Sequence, residues 1–145
     1  MEQKKQLIPE EMPKIVRVLG VMFCNDDFNV NVSFEAHDIN CYGNFSVEGS
    51  LSSRNIEIRN GGSIEVSGSI EAKGDIKVDQ DLLCGGNCSC YSIISGGYVL
   101  ITGNCRCFSI TAYDDVCICG TFNNPIKNIK VPENKHIYIN GKCVK

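Results

Sequence analysis

Charge of one sign is not in excess in this chain: 14 Lys and Arg stand against 17 Asp and Glu, for a formal net charge of −3, and the two signs are interspersed. That leaves neither a basic groove for a phosphate backbone nor an acidic surface to mimic one, so nucleic acid is not an expected partner. Long apolar runs are lacking too. The run Ile15 to Phe23 is interrupted by Arg17 and is far too short to span a bilayer, and Met1 to Lys5 is too polar to begin a cleavable signal. The expected location is cytoplasmic, with membrane contact limited to a peripheral touch by Leu7, Ile8 and their neighbouring lysines. Histidine is scarce: neither His37 nor His136 is paired with a nucleophile in a recognisable motif. The glycine-rich stretches Asn60 to Ser63 and Gly85 to Asn87 read as turns and fit neither a P-loop nor a dinucleotide fingerprint. The acids Asp79, Asp81, Asp114 and Asp115 fall at corners, where solvated turn carboxylates are expected rather than catalytic or calcium-binding ones.

What the chain does have is a repeat of 17 to 21 residues marked by Gly49, Gly68, Gly86, Gly103, Gly120 and Gly141. Before each glycine stands apolar, any, apolar: Phe45 and Val47, Ile64 and Val66, Leu82 and Cys84, Val99 and Ile101, Val116 and Ile118, Ile137 and Ile139. Two residues after it comes a second inward pair, as at Leu51 and Ser53 or Ile70 and Ala72, and a third pair follows, as at Ile56 and Ile58 or Ile76 and Val78. Alternate residues of a strand point to opposite faces, so these pairs line one interior while Glu57, Glu65, Glu71, Lys77 and Arg106 face water. The expected fold is all-β: a single-domain parallel β-helix, or β-solenoid, of six to seven coils with three short strands each. Right-handed crossover is the expected hand. Glycine at a fixed place in every coil predicts a corner with positive φ.

Ten cysteines raise the question of disulfides or metal. Cys41, Cys84, Cys88, Cys90, Cys105, Cys107 and Cys143 fall in inward columns whose other members are Ile, Val, Leu, Phe, Ala or Ser, so core filling is the favoured role. Cys88 is expected over Cys105 and Cys90 over Cys107. That patch of four thiols is the alternative zinc or iron–sulfur site, but no Cys-x-x-Cys pair supports it. Cys117 and Cys119 alternate with the inward residues and are expected outside. No metal, cofactor or catalytic residue is assigned.

Residues 1–14 read as a flexible leader, 15–27 as an N-terminal cap or the end of a partial first coil, and 28–145 as the β-helix. The segment Val66-Ser-Gly-Ser-Ile-Glu-Ala-Lys-Gly-Asp-Ile-Lys-Val78 resembles the repeat of the bactofilins, polymer-forming cytoskeletal proteins of bacteria, and the resemblance extends over about residues 28 to 131. It implies a triangular β-helix that polymerises end to end without nucleotide and scaffolds cell-envelope proteins. The extra cysteines and the 21-residue sixth coil with Asn123, Asn124 and Pro125 depart from that pattern. Hexapeptide acyltransferases have a related period, but their coils repeat strictly in sixes and the coils here do not.

A terminal coil offers unpaired backbone groups and a ring of apolar side chains, which an identical end can cover. The expected function is that of a noncatalytic scaffold that self-associates through Phe28, Val30 and Phe34 at one end and Ile137, Ile139, Cys143 and Val144 at the other. The alternative is a binding module that holds or inhibits a protein partner through a flat face carrying Tyr91, Leu100, Phe108, Tyr113 and Tyr138. An enzyme using His37 or His136 ranks third.

Overall fold

The computed structural model describes residues 15–145, so the expected leader at residues 1–14 lies outside the described residues. The chain enters on β1 (Ile15–Cys24) and winds through β2 (Phe28–Val30) and β3 (Ser33–Cys41), then β4 (Phe45–Val47), β5 (Leu51–Ser53) and β6 (Asn55–Ile58). Three more coils follow the same plan: β7 (Ile64–Val66), β8 (Ile70–Ala72), β9 (Asp75–Val78); β10 (Leu82–Cys84), β11 (Cys88–Ser89), β12 (Ser92–Ser95); β13 (Val99–Ile101), β14 (Cys105–Arg106), β15 (Ser109–Ala112). The last strands are β16 (Val116–Ile118), β17 (Ile129–Lys130), β18 (Ile137–Ile139) and β19 (Lys142–Cys143). Every pairing is parallel except β18 with β19. The result is a β-solenoid of about seven turns.

The sequence columns are the structural columns. Phe28, Phe45, Ile64, Leu82, Val99, Val116 and Ile137 stand in register along one face. Ile39, Ile56, Ile76, Ile93, Ile110 and Ile129 stand in register along another, and all but the half-buried Phe28 of these thirteen are buried. Period-two alternation makes this possible, since only one set of side chains can face the interior.

Three polar columns hold the corners. Ser33, Ser50, Ser69, Asn87 and Asn104 each accept, on a side-chain oxygen, the backbone N–H of the matching residue one coil later, at 2.8 to 3.1 Å. Asp27, Asn44, Ser63 and Asp81 do the same at a second corner, and Asp115 receives the His136 N–H at 2.8 Å. Asp38 and Asn55 serve the third. Strand pairing lapses at each turn, so these side chains satisfy backbone donors that the ladder leaves behind.

The glycine column has a different cause from the positive φ predicted for it. Of the six marker glycines only Gly49 (φ 142°) and Gly141 (φ 79°) have positive φ. Gly68, Gly86, Gly103 and Gly120 stack directly, each donating its N–H to the glycine oxygen one coil earlier at 2.7 to 2.9 Å. A Cβ on Gly103 would lie 2.8 Å from the Gly86 oxygen, so it is close coil-to-coil approach that requires glycine here.

The regular coil plan breaks at three places. β3 runs continuously around one corner, pairing with β5 in its first half and β6 in its second. In the 21-residue coil the middle strand shrinks to a single bridge between Cys105 and Phe122, followed by a 3-10 turn at Ile126–Asn128. After β18 the chain reverses at Asn140 and Gly141 into antiparallel β19. No helix among the described residues is long and apolar enough to cross a membrane.

Candidate functional site

The two ends of the solenoid differ, and the difference begins with β1. Val16, Val18, Met22 and Cys24 point inward over Phe34, Ala36, Ile39 and Cys41, so β1 covers two of the three faces of the first coil. Phe34 is consequently buried, 1% exposed, in an aromatic cluster with Phe28 (5.3 Å) and Phe45 (6.0 Å). Its expected place on the open end is corrected: β1 holds that end instead. Phe28 and Val30 remain half-buried, because β2 pairs only with β4.

Among the described residues β1 pairs with β3 alone, so one of its edges carries free backbone groups along ten residues. Its inward Val16 and Val18 are only half-buried. Its outward Leu19, Val21 and Phe23 are 99%, 61% and 58% exposed. A bulge at Leu19 and Gly20 shifts the register between Val18 and Val21. Together these make a long apolar edge strand, the kind of surface that pairs with another chain.

The other end is finished. β19 closes the edge of β18, and the tail returns so that Ile137 N–H donates to the Lys145 oxygen (3.1 Å) and Val144 N–H to the Ile137 oxygen (2.8 Å). Lys145 Nζ donates to the oxygens of Pro132 and Lys135 at 3.0 and 3.1 Å. Where the middle strand of the sixth coil is missing, side-chain amides replace it. Asn123 Oδ1 accepts the Cys107 N–H (3.1 Å), Asn124 Nδ2 donates to the Cys107 oxygen (2.7 Å) and Asn128 Nδ2 to the Phe108 oxygen (2.9 Å). Ile137 is therefore buried and Ile139 half-buried beneath a cap, whereas Cys143 and Val144 sit exposed on the cap itself. The column assigned to Cys143 does not continue, because the chain reverses one strand too soon. In the sequence, Asn140-Gly141 was the signal for that reversal, being a two-residue hairpin turn.

The five residues of the expected flat face are dispersed. Tyr91 and Phe108 stack at 5.7 Å with their planes 9° apart, on one corner. Tyr113 is exposed at the corner preceding β16. Leu100 and Tyr138 face outward from a third place, in register with Cys117 and, one coil earlier, Leu83. The sequence sets Leu100, Tyr138 and Cys117 outside but does not join them with Leu83 into this one half-exposed stripe.

The histidines lie in the first and last full coils. His37 Nδ1 is 3.6 Å from Asp38 Oδ2 and borders a groove of about 840 Å³ lined by Arg17, Glu35, Arg54, Glu71 and Lys73. Arg17 pairs with Glu35 at 2.6 Å and Arg54 with Asp38 at 3.1 Å. Partial burial opposes the charge on Asp38, but Arg54 and the hydrogen bonds from Asn55 outweigh it and hold the carboxyl below its ordinary range. Ser53 Oγ, beside the groove, donates to the oxygens of His37 and Asn55 and to no imidazole.

All ten cysteines are free thiols. Cys41, Cys84, Cys88, Cys105 and Cys107 are buried, and Cys90 is half-buried. Several act as inward donors to corner carbonyls: Cys84 Sγ reaches the Asn87 oxygen at 3.3 Å and Cys41 Sγ the Gly43 oxygen at 3.6 Å. Ser95 fills the same role in the Cys41 column, donating to the Gln80 oxygen at 2.6 Å, which is why Cys and Ser interchange with aliphatics there. Burial pushes the Cys41 thiol up to about 11. Among the described residues no three His, Cys, Asp or Glu side chains form a group that could hold a metal ion. Exposure sets an order of reactivity: in the native protein at neutral pH, Cys119 and Cys143 are expected to be alkylated first and the five buried thiols only on unfolding, as read by mass spectrometry of labelled peptides.

No family model, no curated protein and no solved structure matches the chain.

Proposed function

We propose that this protein is a noncatalytic structural element that self-associates through the β1 end of its solenoid, as a scaffold of the bactofilin kind. The carrying observation is the contrast between the ends. Among the described residues, one presents an unpaired ten-residue edge with half-covered Val16, Val18, Phe28 and Val30. The other is closed by β19 and by three asparagine side chains. Burying a Val or Phe side chain contributes about 1.5 to 3 kcal/mol, so these four and the strand pairing together can offset an association cost of roughly 4 to 15 kcal/mol. Two β1 ends meeting around a twofold axis form a closed pair. Longer filaments require the cap at β18 to open.

The test is size-exclusion chromatography with light scattering on reduced protein across a concentration series, with negative-stain microscopy of the same fractions. Dimers that dissociate on dilution are the expected result, and a variant lacking residues 140–145 is expected to extend into longer oligomers. A monomer at every concentration in both overturns the proposal. It would favour instead the stripe Leu83, Leu100, Cys117 and Tyr138, which is placed to hold an apolar ridge of a protein partner.

A further inference from the structure

Five thiols meet inside two successive coils: Cys84, Cys88 and Cys90 of one, and Cys105 and Cys107 of the next. Cys88 pairs with Cys105 in strand register, and Cys105 Sγ lies 3.5 Å from Cys107 Sγ. Cys90 N–H donates to the Arg106 oxygen at 3.0 Å, repeating the bond from Cys88 N–H to the Asn104 oxygen at 2.9 Å two residues earlier. The repeat of that bond places Cys90 directly opposite Cys107. Neighbouring strands run about 4.8 Å apart, inside the roughly 4.4 to 6.8 Å Cα window that a disulfide spans. Within one extended strand, Cys105 and Cys107 stand about 6.5 to 7 Å apart at Cα, at the limit of that window. Of the five thiols only Cys90 is less than fully buried; Cys105 is 0% and Cys107 3% exposed.

We propose that Cys90 and Cys107 are a redox pair that closes into a disulfide between two coils when a hydroperoxide reaches Cys90. In its thiolate form Cys90 attacks the terminal peroxide oxygen, the O–O bond breaks, and the leaving oxygen takes a proton to depart as an alcohol, or as water from hydrogen peroxide. Cys90 is left as the sulfenic acid. Cys107 attacks that sulfur as thiolate, the S–O bond breaks, and the hydroxyl leaves as water with the proton Cys107 has given up. Two thiols are oxidised and one peroxide is reduced. The surroundings suit this order. Cys107, with burial behind it, holds the Cys90 proton against an opposing hydrogen bond from Cys88, so the first step is slow and quickens as pH rises. Hydrogen bonds from Cys105 and Cys90 favour the Cys107 thiolate against its burial, readying it for the second step. The new bond ties two neighbouring coils across the interface through which each repeat stabilises the next.

The experiment treats the reduced full chain with excess hydrogen peroxide, blocks residual thiols with an alkylating agent and maps peptides without reduction. A Cys90–Cys107 linkage, a mass loss of two hydrogens, and faster formation at higher pH are expected. Cys107→Ala is expected to leave Cys90 as a sulfenic acid captured by dimedone, and Cys90→Ala to leave Cys107 a free thiol. Both variants should fold, because the same column holds Ala36, Ser53 and Ala72 in other coils. A Cys105–Cys107 linkage, or Cys90 and Cys107 still free after Cys119 and Cys143 are oxidised, overturns the proposal. So does Cys90 oxidised beyond the sulfenic acid without a linkage in the unmodified chain.

Discussion

Val18→Lys is expected to leave the protein folded and to abolish its association. Val18 points inward beside Ala36, but it is only half-buried because nothing among the described residues lies beyond β1. In the monomer a lysine there can run its methylenes along the coil and keep its amine in water at the open end. Once a second β1 end covers it, that amine is buried without a partner, which costs about 3 to 5 kcal/mol. Each 1.4 kcal/mol is about tenfold, so the dissociation constant should rise by more than a hundredfold. Sedimentation or light scattering reads the loss, and circular dichroism checks that β content is retained. Unchanged assembly size would place the contact elsewhere. Phe34→Asp, the natural choice from sequence, does not make this test: Phe34 lies among Phe28 and Phe45 under β1, and a carboxylate there unfolds the first coil.

Gly103→Val is expected to split the solenoid's unfolding into two steps. The glycine N–H donates to the Gly86 oxygen at 2.9 Å, and Gly120 N–H donates to the Gly103 oxygen at 2.9 Å. Any side chain on Gly103 meets the Gly86 oxygen, fixed in the glycine column, and the Asn87 side-chain oxygen, held by the Asn104 N–H. Forcing the coils apart costs about 1 to 3 kcal/mol by overpacking alone, or about 2 to 12 °C in Tm for a chain of this size. Because each coil touches only its neighbours, the loss concentrates at one junction rather than spreading through the domain. Calorimetry should show a broadened or double transition. Thr102→Val, one residue earlier and exposed, should stay within about 0.5 kcal/mol of the parent. A single sharp transition at the parental Tm in Gly103→Val would mean that the glycine column does not hold the coils together.

Much of the core was legible because a period of two leaves no freedom about which side chains face inward. Phe45, Ile64, Leu82, Val99 and Val116 were aligned by counting from their glycines, and the structure stacks them in that register. The site was less legible. β1 lacks the glycine marker and three of its outward positions, Leu19, Val21 and Phe23, are apolar, so neither its pairing with β3 nor its burial of Phe34 shows in its own pattern. At the far end Cys143 keeps the spacing of the column, yet two residues at positive φ, Asn140 and Gly141, reverse the chain before the column continues. In the sequence Asn123 and Asn124 marked only a longer sixth coil, and nothing singled out Asn128. Their amides matter because they face the unpaired edge of the coil before them, a relation set by stacking and not by adjacency in the chain.

The sequence by itself determined the solenoid, its coil count, its inward columns, the burial of five of its ten thiols and the stacking of Cys88 on Cys105 and Cys90 on Cys107, since each follows from alternation and repeat length, which are properties of one chain read locally. Only the tertiary structure decided which end is open and which is closed among the described residues, why glycine recurs, and that Cys90 alone of the thiol patch is less than fully buried. Those depend on distances between residues a full coil apart, where a backbone oxygen 2.8 Å from an absent Cβ or an amide reaching the edge of the previous coil is set by how the turns stack.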